Sequence, residues 1–125
     1  MTAYITGVAS YLPGKPVASD EIESLLGQVH GVPSPVKDLI LKRNGISWRH
    51  YALDPSTGAI THSNVELTAA AVRQLAETTD VELSEVDLLA CGTSSPDQLI
   101  PSHASMVHGA LKLPPCEIVS TTGVC

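Results

Sequence analysis

The apolar positions along the chain become strongly periodic after about residue 63. Residues 86–93 and 117–121 are apolar or β-branched at nearly every position, a pattern typical of strands buried on both faces. Residues 64–78 and 102–111 carry apolar positions at helical spacing. The resulting order of helix, strand, helix and strand predicts an α/β fold with parallel strands and right-handed crossovers.

The predicted helices have recognisable start signals. Ser63 followed by Glu66 matches a capping box at the start of the 64–78 helix. Pro101 fits the first position of the 102–111 helix, because its missing N–H is not needed there. The apolar stripe of the first helix consists of Val65, Ala69, Val72 and Leu75.

The first sixty residues contain shorter elements. We expect a strand at 4–11, in which Gly7 permits close backbone approach, and a short helix capped by Ser19 and ended by Gly27. A helix at 36–42, a strand at 46–51 and a turn at 54–58 follow.

Composition excludes several classes of function. A net charge of −6 with only seven Lys and Arg argues against a nucleic-acid surface. No apolar run approaches the roughly 18 residues that cross a bilayer, so we expect no membrane span. Three cysteines without a metal-like spacing, in a chain with no signal-peptide pattern, indicate reduced thiols in the cytoplasm.

Cys125 is the candidate nucleophile. It follows a buried strand and Gly123, and α/β proteins bind ligands at the carboxyl ends of such strands. A helix after it would stabilise the thiolate. The alternative is that Cys125 is a small buried hydrophobic residue, like most free cysteines. Cys91 and Cys116 are interpreted as structural.

Four features in order and spacing resemble a known family. They are Gly7-Val-Ala-Ser-Tyr-Leu-Pro, Arg43-Asn-Gly-Ile with Arg49 shortly after, Thr93-Ser-Ser-Pro-Asp with Ile100-Pro-Ser, and the gapless spacing from Pro101 to Cys125. Together they resemble the amino-terminal half of 3-oxoacyl-acyl-carrier-protein synthase III, a condensing enzyme of the thiolase superfamily.

The resemblance implies an architecture. Residues 1–125 would be the amino-terminal half-domain of a layered αβαβα fold with a mixed, largely parallel sheet, ending at the nucleophile. The carboxyl-terminal half, with the family's catalytic His and Asn, is not present in this sequence, and none of the five histidines here matches a catalytic motif. Family members are homodimers, so a homodimer is expected.

The resemblance also implies roles for four residues. Cys125 would attack an acyl thioester of an acyl carrier protein or coenzyme A, and Ile100 would line the acyl pocket. Arg43 and Arg49 would contact the phosphates of the donor, although a solvated arginine with a packed stem is the alternative for each. No cofactor and no metal are implied. The acyl group would pass to a malonyl-type or β-keto thioester in fatty-acid or secondary-metabolite synthesis.

Three positions depart from the family pattern. Ser120 stands in place of the usual Asp, Leu39 in place of an adenine-stacking Trp, and Ile100 in place of Phe. These departures indicate a divergent secondary-metabolism branch supplied by a carrier protein. Two other functions stay open: acyl transfer to a hydroxyl or amine without decarboxylation, and a non-catalytic partner subunit.

Overall fold

The structure is a computed structural model, and it describes residues 2–123. The chain forms two compact units, one made of residues 2–11 and 62–123 and the other of residues 12–61. The described helices are α1 Ile22–Leu26, α2 Lys37–Asn44, α3 Asn64–Thr78 and α4 His103–Leu111. The described strands are β1 Val17–Ala18, β2 Trp48–Arg49, β3 Leu88–Thr93 and β4 Glu117–Thr122.

The first unit is built on a parallel pair of strands, as the sequence predicts. β3 and β4 pair in register from Leu88 with Glu117 to Thr93 with Thr122. Helix α4 packs on both strands, and α3 packs on α4. The unit is therefore mixed α/β with helices on one face of the sheet.

The core lies between α4 and that covered face. Ala104 and Val107, one turn apart on α4, are both 0% exposed, and they contact Leu89 and Cys91 of β3. The opposite face is open in the described part of the chain, where Leu88 and Val119 are about half exposed. Within residues 2–123 one face of these strands is therefore buried, as their apolar pattern predicts, and the other face is exposed.

Helix α3 has the predicted bounds, residues 64–78, and its predicted start signal. The Ser63 hydroxyl accepts a hydrogen bond from Glu66 N at 3.2 Å, and the Glu66 carboxylate accepts one from Ser63 N at 2.8 Å. The predicted capping box is confirmed. At α4, however, Ser102 is the N-cap, accepting from Ser105 N, so Pro101 precedes the helix instead of occupying its first position.

The amino-terminal segment differs from its prediction. Residues 4–11 do not form a strand, because their backbone finds no strand to pair with among the described residues. Gly7 does permit close approach, since a Cβ there would lie 2.7 Å from Thr79 Cγ2. The segment thus runs against the end of α3, with Tyr4 and Val8 exposed.

The second unit has short elements. Strands β1 and β2 form a two-residue antiparallel pair, shorter than the predicted strand at 46–51. Ser19 is not the predicted N-cap. It begins a 3-10 turn, and its buried hydroxyl donates to Ile46 O at 2.6 Å. The turn at 54–58 is confirmed, with the Asp54 carboxylate accepting from Ser56 N and Thr57 N.

Candidate functional site at the carboxyl edge of the sheet

The candidate site is the edge of the first unit at which β3 and β4 both end, here called the carboxyl edge. Thr93 and Thr122 are register partners there. The loop 94–102 leaves this edge after β3, and Gly123 follows β4. Ligands of α/β proteins bind outside the carboxyl ends of their strands. Cys125, the predicted nucleophile, lies outside the described residues.

Ile100 sits on the loop 94–102 with an open environment. Ile100 and its neighbour Leu99 are each 87% exposed. Two adjacent apolar side chains with this exposure are available for contact with a ligand or with further protein. The role of Ile100 as a wall of an acyl pocket stays a prediction.

The same loop is tied to helix α3 through Asp97. Asp97 Oδ1 accepts a hydrogen bond from Asn64 N, and Asp97 Oδ2 accepts one from Val65 N, each at 2.9 Å. The amide of Asn64 donates to Ser95 O in return. A carboxylate at a helix amino terminus also interacts favourably with the helix dipole. We call these three contacts the Asp97–Asn64 clasp.

The amino terminus of α4 is held to β4. Ser120 Oγ accepts a hydrogen bond from Ala104 N at 3.3 Å, which joins the middle of β4 to the first turn of α4. The serine at the position where the family pattern has Asp therefore has a structural contact of its own.

His103 is the buried polar side chain of this region. It is 2% exposed, and its Nε2 lies 3.1 Å from Thr68 Oγ1. The Thr68 hydroxyl already donates to Asn64 O at 2.8 Å, so His103 Nε2 is the donor in that pair. His103 Nδ1 is buried without a hydrogen-bond partner among the described residues.

The two predicted arginines lie in the second unit. Arg43 is exposed in the last turn of α2. Arg49 is half-buried on β2, donates to Ser19 Oγ at 3.4 Å and lines an apolar cleft of about 280 Å³. Neither side chain belongs to the unit that carries the carboxyl edge.

The two described cysteines differ in environment. Cys91 is buried in the core, and burial raises the pKa of its thiol above the ordinary value of 9.0. Cys116 is half-buried before β4. Raising the pKa keeps Cys91 protonated and slow as a nucleophile, as expected for a structural cysteine.

The described residues carry no metal cluster and no membrane span. Across residues 2–123, no group of three His, Cys, Asp or Glu side chains is arranged to hold a metal ion. Within the same range, every helix is too short or too polar to cross a bilayer.

Sequence reasoning missed the clasp, because an acidic residue in a polar loop such as 94–98 needs no particular partner to explain it. A signal was present, since a capping box accounts for the N–H of Glu66 and leaves those of Asn64 and Val65 without partners. In a parallel α/β arrangement the loop after β3 lies close to the start of α3. An acidic residue in that loop was therefore a candidate to accept hydrogen bonds from these two N–H groups. His103 had no comparable signal.

Comparison with known proteins gives consistent results. The β-ketoacyl-[acyl-carrier-protein] synthase III of Hyphomonas neptunium is 29% identical over 123 residues, which cover 98% of this chain and 34% of the relative. The protein of the same name from Cereibacter sphaeroides is 31% identical over 109 residues, covering 87% of this chain and 30% of the relative. No protein-family model matches the chain.

A solved structure agrees in fold. AbyA1, a tetronic acid condensing enzyme, superposes with a TM-score of 0.72 at 28% identity, over 93% of this chain and 34% of that one. The chain thus spans about a third of the length of the relatives that it matches. With the mixed α/β architecture, these results show that nearly the whole chain is similar to about a third of β-ketoacyl-[acyl-carrier-protein] synthase III in sequence and to about a third of the condensing enzyme AbyA1 in fold.

Proposed function

We propose that this chain supplies the nucleophile of an acyl-thioester condensing enzyme. The observation that supports this most is the in-register parallel pairing of β3 and β4, which brings two chain segments to one edge. One segment carries Ile100, and the other continues from Gly123 toward Cys125. A thiol that followed β4 at this edge would suit the binding of an acyl chain as a thioester, because Leu99 and Ile100 of the neighbouring loop are exposed and apolar.

In the first step, the Cys125 thiolate attacks the carbonyl carbon of an acyl thioester. A new C–S bond forms, the tetrahedral intermediate collapses, and the donor thiolate leaves and takes up a proton. Thiolate is both a strong nucleophile and a good leaving group, so the acyl-cysteine forms and breaks readily.

In the second step, a malonyl-type thioester loses carbon dioxide. The electrons of the broken C–C bond form a carbanion, which attacks the acyl-cysteine carbonyl and releases the Cys125 thiolate. The His and Asn that support this step in the family would come from residues beyond this chain. The carrier is an acyl carrier protein or coenzyme A, the product a β-keto thioester, and the assembly a cytoplasmic homodimer.

Arg43 and Arg49 are proposed to contact the phosphate of the pantetheine-bearing donor. Arg43 is exposed and free to reach a ligand. Arg49 lines an apolar cleft together with Lys37 and Asn44. A cation at the rim of such a cleft suits a phosphate joined to a less polar arm.

The test uses the full-length polypeptide that carries this chain, whose intact mass is measured first. After incubation with an acyl thioester, peptide mapping should find the acyl group on Cys125. Brief iodoacetamide treatment should label the same residue first and abolish turnover. Cys125→Ala should lose the acyl-enzyme while keeping the wild-type melting temperature. Cys116→Ala is the matched control and should keep full acylation.

The outcomes separate the alternatives. Carbon dioxide release from a malonyl donor indicates condensation, whereas acylation without it indicates transfer to a hydroxyl or amine. Acylation on Cys91 or Cys116, or full activity in Cys125→Ala, contradicts the proposed mechanism. A protein that is never acylated would be the non-catalytic partner.

A further inference from the structure

Helix α3 satisfies its amino-terminal N–H groups in two different ways. The first four N–H groups of any helix lack partners within the helix. In α3, the N–H groups of Ser63 and Glu66 are satisfied locally by the capping box, through the Glu66 carboxylate and the Ser63 hydroxyl. The N–H groups of Asn64 and Val65 bind Asp97 instead, more than thirty residues along the chain.

A distant partner does more than stabilise a helix end. Water or a local side chain satisfies exposed N–H groups at most helix starts. Here the acceptor belongs to the loop 94–102, and Asn64 completes the tie by donating to Ser95 O. The clasp therefore fixes the loop on a rigid support, since Ala69 anchors α3 with 1% exposure.

The far end of the loop is fixed as well. Ser102 caps α4, accepting from Ser105 N at its hydroxyl and from Met106 N at its carbonyl. Only residues 98–101 lie between the two anchors, and they include Leu99 and Ile100. Four residues span about 14 Å at most, and Pro101 has a restricted φ, so the two anchors restrict the positions that Ile100 can take.

We propose that Asp97 and Asn64 are positioning residues that fix the loop 94–102, and that through Ile100 they set the acyl-chain selectivity of the enzyme. This inference rests on the proposed function. Neither residue needs to touch the substrate. Loosening the clasp frees the Ile100 side chain to move, and a pocket with a mobile wall discriminates less between chains of different length.

The matched control is Ser63→Ala. It removes the hydroxyl acceptor of the capping box, and within residues 2–123 the Ser63 side chain hydrogen-bonds to Glu66 and not to the loop. Asp97→Ala removes both backbone contacts of the clasp. Asn64→Ala removes only the contact with Ser95, and Asp97→Asn keeps an acceptor without the charge.

The first measurement is hydrogen–deuterium exchange in the full-length protein. The peptide covering 93–100 should exchange about tenfold faster in Asp97→Ala, a factor that corresponds to about 1.4 kcal/mol. Asp97→Asn should fall between Asp97→Ala and the unmodified protein. In Ser63→Ala the loop peptide should exchange at the unmodified rate, even if the melting temperature falls.

The second measurement is kcat/KM for saturated acyl thioesters of increasing length. The ratio between the preferred chain and one several carbons longer should fall about tenfold in Asp97→Ala, comparable to the discrimination that one methylene provides. Ser63→Ala should keep the ratio. If Asp97→Ala fails to fold, Asn64→Ala takes its place with the same two measurements.

The results distinguish this inference from the proposed function. If the unmodified protein forms no acyl-enzyme with any thioester, the proposed function is wrong. Normal acylation with an unchanged selectivity ratio in the clasp variants overturns this inference alone. Equal exchange of the loop peptide in Asp97→Ala and Ser63→Ala overturns it as well.

Discussion

The two units of this chain are stabilised in different ways. The unit of residues 2–11 and 62–123 has a 15-residue helix, a six-residue parallel strand pair and a fully buried core around Val107. The unit of residues 12–61 has two-residue strands and helices of five and eight residues. Its contacts include a hydrogen-bonded turn at Asp54 and a Lys37–Glu23 ion pair at 3.1 Å.

Charge separates the units too. The first contains two basic and eight acidic residues, whereas the second contains five of each. The carboxyl edge lies in the unit with the core, and the candidate phosphate contacts lie in the other. The unit with the larger core thus carries the carboxyl edge, and the less acidic unit carries the two arginines that are proposed to contact the donor.

The largest expected effect concerns the open face of the β3–β4 sheet. The 125-residue chain expressed alone should aggregate or bind a hydrophobic dye, because Leu88 and Val119 stay exposed on that face. Replacing both with Lys should reduce dye fluorescence. A monomer that melts cooperatively without binding dye would contradict this expectation.

Two side-chain truncations, one in each unit, test the difference in how completely the two units bury their apolar side chains. In the full-length protein, Val107→Ala should lower the free energy of unfolding by about 2 kcal/mol, because it leaves a cavity at a fully buried position. Leu25→Ala, in the second unit, removes more atoms but should cost only about 1 kcal/mol, since Leu25 is half-buried beside an open cleft. Chemical denaturation measures both. An equal or reversed order would mean that the units are packed alike.

Two glycines within the first unit should respond in opposite directions. Gly7→Ala should destabilise by about 1–2 kcal/mol, because the new methyl group meets Thr79 and Leu75. Gly109→Ala in α4 meets no atom within 4 Å and should stabilise by about 0.5–1 kcal/mol through helix propensity. Melting temperatures of the two variants provide the check, and a neutral Gly7→Ala would show that the segment 2–11 is not held against α3.

The smallest effect is a pH dependence in the second unit. Hydrogen bonds from Ser34 N and Lys37 hold the pKa of Glu23 below its ordinary value of 4.5. Between the lowered pKa and about pH 4.5, the unfolded chain therefore binds more protons than the folded chain. The stability contributed by these contacts is fully present above about pH 4.5 and is lost as the pH falls through the lowered pKa. Glu23→Gln should lower the melting temperature slightly near pH 7, where the ionised carboxylate makes these contacts, and the melting-temperature profiles of the two proteins should converge below the lowered pKa. Melting-temperature profiles of the same shape below pH 4.5 in the two proteins would contradict the assignment of this pH dependence to Glu23.

Much of the first unit could be predicted because local signals and tertiary packing agree there. The Ser63–Glu66 box marked the start of α3, and the apolar runs marked β3 and β4 within two residues. The segment 4–11 could not be predicted correctly, since its β-like pattern is realised only if a partner strand is available. Ser19 was misassigned because a hydroxyl that suits an N-cap also suits a buried contact with Ile46 O.

The candidate site was only partly accessible to sequence reasoning. The carboxyl edge followed from strand order, and the exposure of Ile100 is compatible with its predicted role. The Asp97–Asn64 clasp joins residues that are far apart in sequence, and no local sequence pattern predicts such a contact. The roles of Cys125, Ile100, Arg43 and Arg49 stay predictions.

The chain leaves the first unit at Tyr11 and returns to it at His62, and these two residues are in contact. Tyr11 Oη and His62 Nε2 are 3.0 Å apart, with ring centroids 5.6 Å from each other. The fifty residues between them are therefore an insertion whose ends already meet. The entropic free-energy cost of bringing the ends of a chain segment together rises only slowly with segment length, by about 0.6 kcal/mol for each doubling. A change in the length of residues 12–61 should therefore cost the fold of the first unit little, because Tyr11 and His62 already hold the two ends of this segment together.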